Sequence, residues 1–288
     1  MSQAFSNPLQ ERLRPITSRQ NSLVKDLRKA FAQATAVEDG SVAIEGVKLL
    51  EEAIRSGLRL RAVFFSEGGR ERANRLLPQI SHATMTVLLP DDIFHSAVAT
   101  ETPQGVAALV YPLSAILEDL FRPASPSGKE ALSSDPAVAP LILGCAGLQD
   151  PGNLGTILRS AEAFGASGVL CTDGTVSSAN PKVARASAGS VFRLPCIKLS
   201  TEEAISTIAE HGLRLAVTSS HKGRPVHELD LTLPTAVFIG SEGHGVPRAL
   251  LDAADEAILI PHSPKVESLN AGIAASILLY EAQRQRSR

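Results

Sequence analysis

The chain predicts an α/β protein in two domains, and three observations carry that prediction. Short apolar runs alternate with segments of helical period along most of its length. The alternation breaks once, at residues 122–139, where four Ser, three Pro and one Gly leave little to bury, so the stretch reads as a linker. The chain has 288 residues, 44% of them hydrophobic, which is enough for two cores. The expected domains are 10–115 and 140–288, joined by a linker over 116–139.

The first domain opens on a basic stretch. Arg12, Arg14, Arg19, Lys25, Arg28 and Lys29 are set against only Glu11 and Asp26. Asn21 is placed to start a helix carrying Leu23, Val24 and Leu27 on one face. An apolar run follows at 42–46, then a helix over 47–56 and a strand over 61–65. A helix near 70–77, a strand over 86–89, a short helix after Asp91-Asp92 and a strand over 106–110 complete the set. Alternation on this scale predicts a small α/β/α sandwich. On charge alone, the basic helix is equally a solvated face.

In the second domain, strands are expected at 141–146, 168–172, 192–197, 213–218, 235–240 and 256–260. Helices are expected at 153–164, 181–188, 201–211, 247–253 and 268–285. This is a mostly parallel sheet with helices on both faces, and in such sheets a ligand lies beyond the carboxyl ends of the strands. Three polar, glycine-containing or loop-forming stretches begin at such ends: 147–155, 240–245 and 261–270. In the first, Pro151-Gly152 makes a turn and Asn153 is placed to cap a helix. The apolar face of that helix, Leu154, Ile157, Leu158 and Ala161, leaves Arg159 pointing elsewhere.

Other classes find little support. No dinucleotide fingerprint or phosphate-binding Walker loop is present, since Gly243-His244-Gly245 belongs to neither. No His, Cys and carboxylate residues fall at metal-ligand spacing, so no metal is expected. Cys145, Cys171 and Cys196 lie in apolar runs without CxxC spacing and read as buried free thiols in a reducing compartment. No apolar run approaches a membrane span, and Ser2–Gln20 is too polar for a signal peptide, so the cytoplasm is the expected address. The net charge of −2 places any basic surface locally rather than over the whole chain.

Three segments carry a resemblance. They are Gln149-Asp150-Pro151-Gly152-Asn153-Leu154-Gly155-Thr156-Ile157-Leu158-Arg159, then Ile239-Gly240-Ser241-Glu242-Gly243-His244-Gly245-Val246-Pro247, then Ile258-Leu259-Ile260-Pro261 running to Ser268-Leu269-Asn270. In order and spacing they resemble the three signature motifs of the SpoU (TrmH) family, RNA 2′-O-ribose methyltransferases of the SPOUT class. Pro181–Gly189 fits as well, and the resemblance covers about residues 140–286. Ile16–Asn21 and Thr102–Val106 resemble, more loosely, a substrate-binding domain similar to ribosomal protein L30e.

The resemblance implies a deep trefoil knot, which pattern could not have shown because knots are very rare. It also implies S-adenosylmethionine as cofactor, a structured RNA as substrate and a homodimer formed through the C-terminal domain. Cofactor contacts fall on Gly240, Ile260 and Leu269, with Thr218 as a further candidate; a side chain at 240 would block the adenine-ribose moiety. Catalytic positions fall on Asn153, Arg159, Glu242, Ser268 and Asn270. A guanidinium stays protonated, so Arg159 is expected to clamp phosphate and stabilise charge rather than act as a base. Arg19, Lys25, Arg28 and Lys29 would grip RNA. His244 and His262 lie where the family varies and are expected to be surface or loop residues. Ala271-Gly272 departs from the family's frequent Val-Ser. Ribosomal RNA is the favoured substrate, because an L30e-like half suits a structured RNA element. The alternatives are a tRNA 2′-O-methyltransferase or a non-catalytic RNA-binding protein of the same fold.

Overall fold

A computed structural model describes residues 12–122 and 139–287. Two compact units emerge: Met1–Leu113 with Ala179–Phe192, and Ser114–Ser178 with Arg193–Arg288. Most of the expected linker lies outside the described residues. Its first part does not behave as one: Leu117–Phe121 forms a short 3₁₀ turn, and Leu120 is fully buried in the second unit. The Leu-rich Leu117–Phe121 outweighs the Pro and Ser that follow it.

In the first unit the strands are β1 (Arg14–Pro15), β2 (Val42–Glu45), β3 (Leu60–Ser66), β4 (Met85–Leu89) and β5 (Val106–Val110), in the sheet order β1-β4-β3-β5-β2. β4 runs parallel to β1 and β3, while β5 is antiparallel to β3 and β2. Both faces are covered, which is why these strands read as apolar runs rather than alternating ones. Val63 and Phe65 point to one side, with α2 (Val47–Arg55) and α3 (Arg70–Leu76). Phe64 points to the other, with α1 (Ser22–Gln33) and α4 (Asp91–Ala97). Asn21 caps α1 as expected, its side chain accepting from the Leu23 N–H at 3.0 Å. The unit is the expected α/β/α sandwich.

In the second unit the strands are β6 (Leu141–Ala146), β7 (Gly168–Cys171), β8 (Cys196–Lys198), β9 (Arg214–Ser219), β10 (Arg224–Pro225), β11 (Thr235–Gly240) and β12 (Glu256–Leu259). The order is β10-β12-β9-β11-β6-β7-β8, and every pairing is parallel. β6 is buried throughout, as its unbroken Leu-Ile-Leu run requires. One face carries α7 (Thr201–Glu210) and α8 (Arg248–Ala253). α5 (Pro151–Ala163) and α9 (Ala271–Arg286) pack side by side, with Ser160 Oγ 2.7 Å from Ser276 Oγ and Phe164 edge-on to Tyr280.

The segment between β7 and β8 departs from expectation. It holds α6 (Pro181–Ala186), and Ala184 and Phe192 sit in the core of the first unit, not the second. The strand expected from 192 therefore starts only at Cys196. The cysteines are free, with Cys145 and Cys171 buried and Cys196 half-buried. No helix among the described residues is long and apolar enough to cross a membrane.

Candidate active site

α5 begins two residues earlier than its sequence suggests, and Asn153 is not its cap. Asp150 is, accepting from the N–H groups of Gly152 at 3.2 Å and Asn153 at 3.0 Å, with Pro151 in the first helical position. The Asp-Pro pair was the signal for this boundary. Freed from capping, Asn153 turns its buried side chain across the unit and donates to Glu242 Oε1 at 2.9 Å.

Asn270 does cap its helix. Its Oδ1 accepts from Gly272 N at 3.0 Å and Ile273 N at 3.2 Å, so α9 starts at 271 rather than 268. Its Nδ2 donates both to Asn153 Oδ1 at 2.9 Å and to Glu242 Oε1 at 2.8 Å. One carboxylate oxygen thus receives two amide N–H groups, and a closed triangle joins the three sequence stretches. Charge-assisted bonds of this kind are the stronger class, and they fix the loops after β6, β11 and β12 relative to one another.

Beside the triangle lies a cavity of about 300 Å³. Thr218, Gly240, Ile260, Ser268, Leu269 and Glu242 all line it, so the four expected cofactor residues come together with two of the expected catalytic ones. Thr218 Oγ1 donates to Phe238 O at 3.3 Å, leaving its lone pairs to the cavity. Ser241 and Gly245 exchange backbone hydrogen bonds at 3.2 and 2.8 Å and fold the intervening loop back on β11. A Cβ at Gly240 would stand 2.0 Å from the carbonyl carbon of Gly245. The glycine is therefore required by the protein's own loop, a reason different from the ligand clearance expected for it.

Several lining residues were not singled out from sequence, among them Ser219, His221, Ile239, Ile258 and Glu267. Their position next to a parallel strand's carboxyl end was the available signal. His262 also lines the cavity, so it is more than a loop residue; its Nδ1 lies 2.7 Å from Ile260 O. A carbonyl oxygen can only accept, so Nδ1 is the nitrogen that donates in this contact. His244 is exposed and does not line the cavity. Among the described residues no group of three or more His, Cys, Asp or Glu side chains is placed to hold a metal.

Arg159 is not brought to the triangle. It is exposed and makes no hydrogen bond or ion pair among the described residues. Six residues beyond Asn153 on one helix, it lies about 9 Å along the axis and about 240° around it. The exposed side of α5 at Thr156 and Arg159 adjoins that of α9, where Ile273, Ile277 and Tyr280 are 53%, 38% and 57% exposed.

The basic residues of the first unit divide. Val24, Leu27, Ala30 and Phe31 of α1 are buried, which leaves Lys25, Arg28 and Lys29 on the outer faces. Lys25 is exposed and has no ion pair among the described residues. Lys29 pairs with Glu38 at 3.0 Å, Arg19 with Asp92 at 2.7 Å, and Arg28 donates to Ser96 O at 3.2 Å. Exposed pairs are weak and can exchange for a phosphate.

Comparison with known proteins agrees with this geometry. Residues 140–280 match the model of the SpoU rRNA methylase family, and residues 21–108 match an MRM3-like substrate binding domain. The chain is 35% identical, over 97% of each chain, to a protein of Synechocystis named as an uncharacterized tRNA/rRNA methyltransferase. It is 30% identical to the Bacillus subtilis 23S rRNA (guanosine(2553)-2′-O)-methyltransferase RlmP, over 93% of this chain and 98% of that one. Among solved structures, an RNA 2′-O ribose methyltransferase aligns at 31% identity and TM-score 0.74, over 95% and 100% of the two chains. The AdoMet-bound rRNA methyltransferase of Sinorhizobium meliloti aligns at 25% identity and TM-score 0.79, over 95% and 98%. With its triangle joining all three motif stretches and relatives matched over nearly their full length, the chain belongs to the SpoU rRNA methylase family.

Proposed function

We propose that the protein methylates a ribose 2′-hydroxyl of ribosomal RNA, using S-adenosylmethionine. The observation that carries this reading is the triangle of Asn153, Glu242 and Asn270 beside the 300 Å³ cavity. The cavity fits the cofactor's chemistry. Ile239, Ile258, Ile260 and Leu269 offer apolar walls to an adenine, and the carboxylates of Glu242 and Glu267 suit a cationic sulfonium. When bound, S-adenosylmethionine supplies an electrophilic methyl group.

The protein's part is placement. Thr218, Gly240, Ile260 and Leu269 would hold the cofactor, and the triangle would keep the loops that separate cofactor from substrate in register. Ser268, exposed at the cavity edge, is placed to hydrogen-bond the incoming ribose. Arg159 would hold the phosphate next to the target ribose and stabilise charge developing on its oxygen. Lys25, Arg28, Lys29 and Arg19 would meet the backbone of the same RNA. That the chain resembles RlmP over nearly its whole length favours ribosomal RNA over tRNA.

The position of Arg159 also supports a homodimer. An apolar stripe at Ile273, Ile277 and Tyr280 is covered when two copies pair, and pairing would carry Arg159 from one protomer toward its partner's cavity. The C-terminal segment, in this reading, threads a trefoil knot, and the protein works in the cytoplasm. In this reading residues 10–115 serve RNA capture and 140–288 catalysis, except that 179–192 pack into the first unit.

The test is transfer of labelled methyl from S-adenosylmethionine to total RNA of a deletion strain, in EDTA, with reverse-transcription stops at low dNTP to locate the 2′-O-methyl group. No transfer by folded, cofactor-bound protein would reject the reading. Stops confined to tRNA would replace the substrate.

A further inference from the structure

The short loop that delivers Asn153 to the triangle is held by a side chain from a different strand end. Between Ala146, where β6 stops, and Pro151, where α5 starts, lie only Gly147, Leu148, Gln149 and Asp150. Gln149 and Asp150 are exposed, so the anchoring falls to the first two. Gly147 N donates to Thr175 Oγ1 at 3.0 Å, and the same hydroxyl donates to Cys145 O at 2.9 Å. Leu148 O accepts from Val176 N at 2.8 Å. Thr175 itself is only 6% exposed. A hydroxyl has one proton to give and lone pairs to accept with. Here the proton goes to the last turn of β6 and a lone pair to the first residue of the loop.

The turn that presents Thr175 is fixed on its other side. Thr175 N donates to Thr172 O at 3.1 Å, closing a turn over Asp173-Gly174. Gly174 has φ +76°, a conformation that glycine adopts without strain. Asp173 Oδ2 accepts from the N–H of Thr201, the first residue of α7, at 3.1 Å. The hydroxyl is thus mounted on a support tied both to β6 and to α7. Any shift of the loop at Gly147 passes through the Asp150 cap to Asn153, one turn further on. Glu242 and Asn270 would not follow it, because they leave β11 and β12. The cofactor cavity would not follow either, since every described residue that lines it is numbered 218 or higher.

We propose that Thr175 is a positioning residue for methyl transfer. It acts through Gly147 and Asp150, setting the start of α5 so that Asn153 meets Glu242 and Asn270. The proposal rests on the reading of the triangle as part of the transfer site. Transfer geometry tolerates little error, and a misplacement of about 1 Å costs on the order of a hundredfold in rate.

The test is single-turnover transfer by the full chain at saturating S-adenosylmethionine and ribosomal RNA, run well below the melting temperature, with cofactor calorimetry alongside. Thr175→Val keeps the shape and removes both hydrogen bonds. It should lower the transfer rate about a hundredfold while cofactor affinity stays within about twofold. Thr175→Ser restores the hydroxyl and should bring the rate back to within about threefold of wild type. Should Thr175→Val not fold, Thr175→Ala leaves room for a water in place of the hydroxyl and should lower the rate about tenfold. A lower melting temperature with a normal rate would make Thr175 structural and overturn the proposal. So would loss of cofactor affinity in step with the rate, failure of Thr175→Ser to recover transfer, or failure of both Thr175→Val and Thr175→Ala to fold. Absence of transfer by the wild-type chain removes the functional reading itself, whereas wild-type transfer with a normal rate in Thr175→Val removes only the positioning role.

Discussion

The two units hold cavities beside sheets of different kinds. In the second unit all strands run parallel, their carboxyl ends lie on one side, and the cavity opens beside the loops that leave β9, β11 and β12. In the first unit β5 is antiparallel to both neighbours, so strand ends of both senses meet at each edge. No general rule places a site there, and that unit's cavity, of about 490 Å³, is marked instead by one buried glutamate, Glu45. A parallel sheet announces where its ligand goes before any side chain is considered; a mixed sheet has to be searched residue by residue.

That contrast can be broken most sharply at Arg159, which lies away from the second unit's cavity. Arg159→Ala should cut methyl transfer by about a thousandfold or more while cofactor affinity stays within about twofold and the melting temperature holds. Single-turnover transfer beside cofactor titration measures both. Loss of cofactor binding or of fold would make Arg159 structural, and Arg159→Lys is expected not to rescue transfer. Next comes Gly240→Ala. Its Cβ cannot stand 2.0 Å from Gly245, so the loop must move. Cofactor affinity should fall at least about tenfold and stability by about 1–3 kcal/mol. Unchanged calorimetry would show that the loop does not define the cavity.

Asn270 separates capping from bridging. Asn270→Asp keeps an acceptor for Gly272 and Ile273 but sets a second carboxylate against Glu242. It should impair transfer more than Asn270→Ser, which keeps a capping oxygen without the added charge, while melting temperatures stay close. Ile277→Glu should turn a dimer into a 30.3 kDa species by light scattering, with transfer lost alongside. A wild-type chain already of that mass would remove the dimer from the proposal.

The smallest effect lies in α9. The hydrogen bond from Arg284, at 2.7 Å from Glu281, holds the Glu281 carboxyl down to about 2 from its ordinary 4.5. A depressed carboxyl stabilises the fold above its unfolded value and loses that contribution as pH falls from about 4.5 toward about 2. Glu281→Gln should therefore cost at most about 1 kcal/mol at pH 7 and nothing near pH 2, by chemical denaturation at both. An equal cost at both pH values would assign the effect to packing.

Much of this architecture was legible in the residues. Leu141–Ala146 and Thr235–Gly240 read as buried strands and are. Glycine, asparagine and glutamate after strand ends pointed to the cavity wall. The misses have local causes. Asp150 capped where Asn153 was expected, because a carboxylate directly before proline is the better cap and the asparagine's amide is used elsewhere. β10 is two residues long and leaves no periodicity to detect. Arg159 belongs to the same motif as Asn153, yet helix geometry turns them to different sides, and a motif read as a string carries no such angle. Glu45 was not singled out, because its burial depends on Thr100 and Arg185, which are distant in sequence.

The excursion of residues 179–192 into the first unit has a consequence for heredity as well as for the bench. A gene fusion joins modules at one seam, and a protease parts them at one seam. Here the chain passes from one unit to the other at 113–114, again at 178–179 and again at 192–193. The catalytic half cannot be lifted out as residues 139–288 without carrying Ala184 and Phe192 away from the core they complete. Exchange of the RNA-capturing half between relatives would have to bring a matching fourteen-residue insert with it. A chimera swapped at the linker alone should fold poorly, whereas one that also exchanges 179–192 should recover, and thermal melting of the two tells them apart.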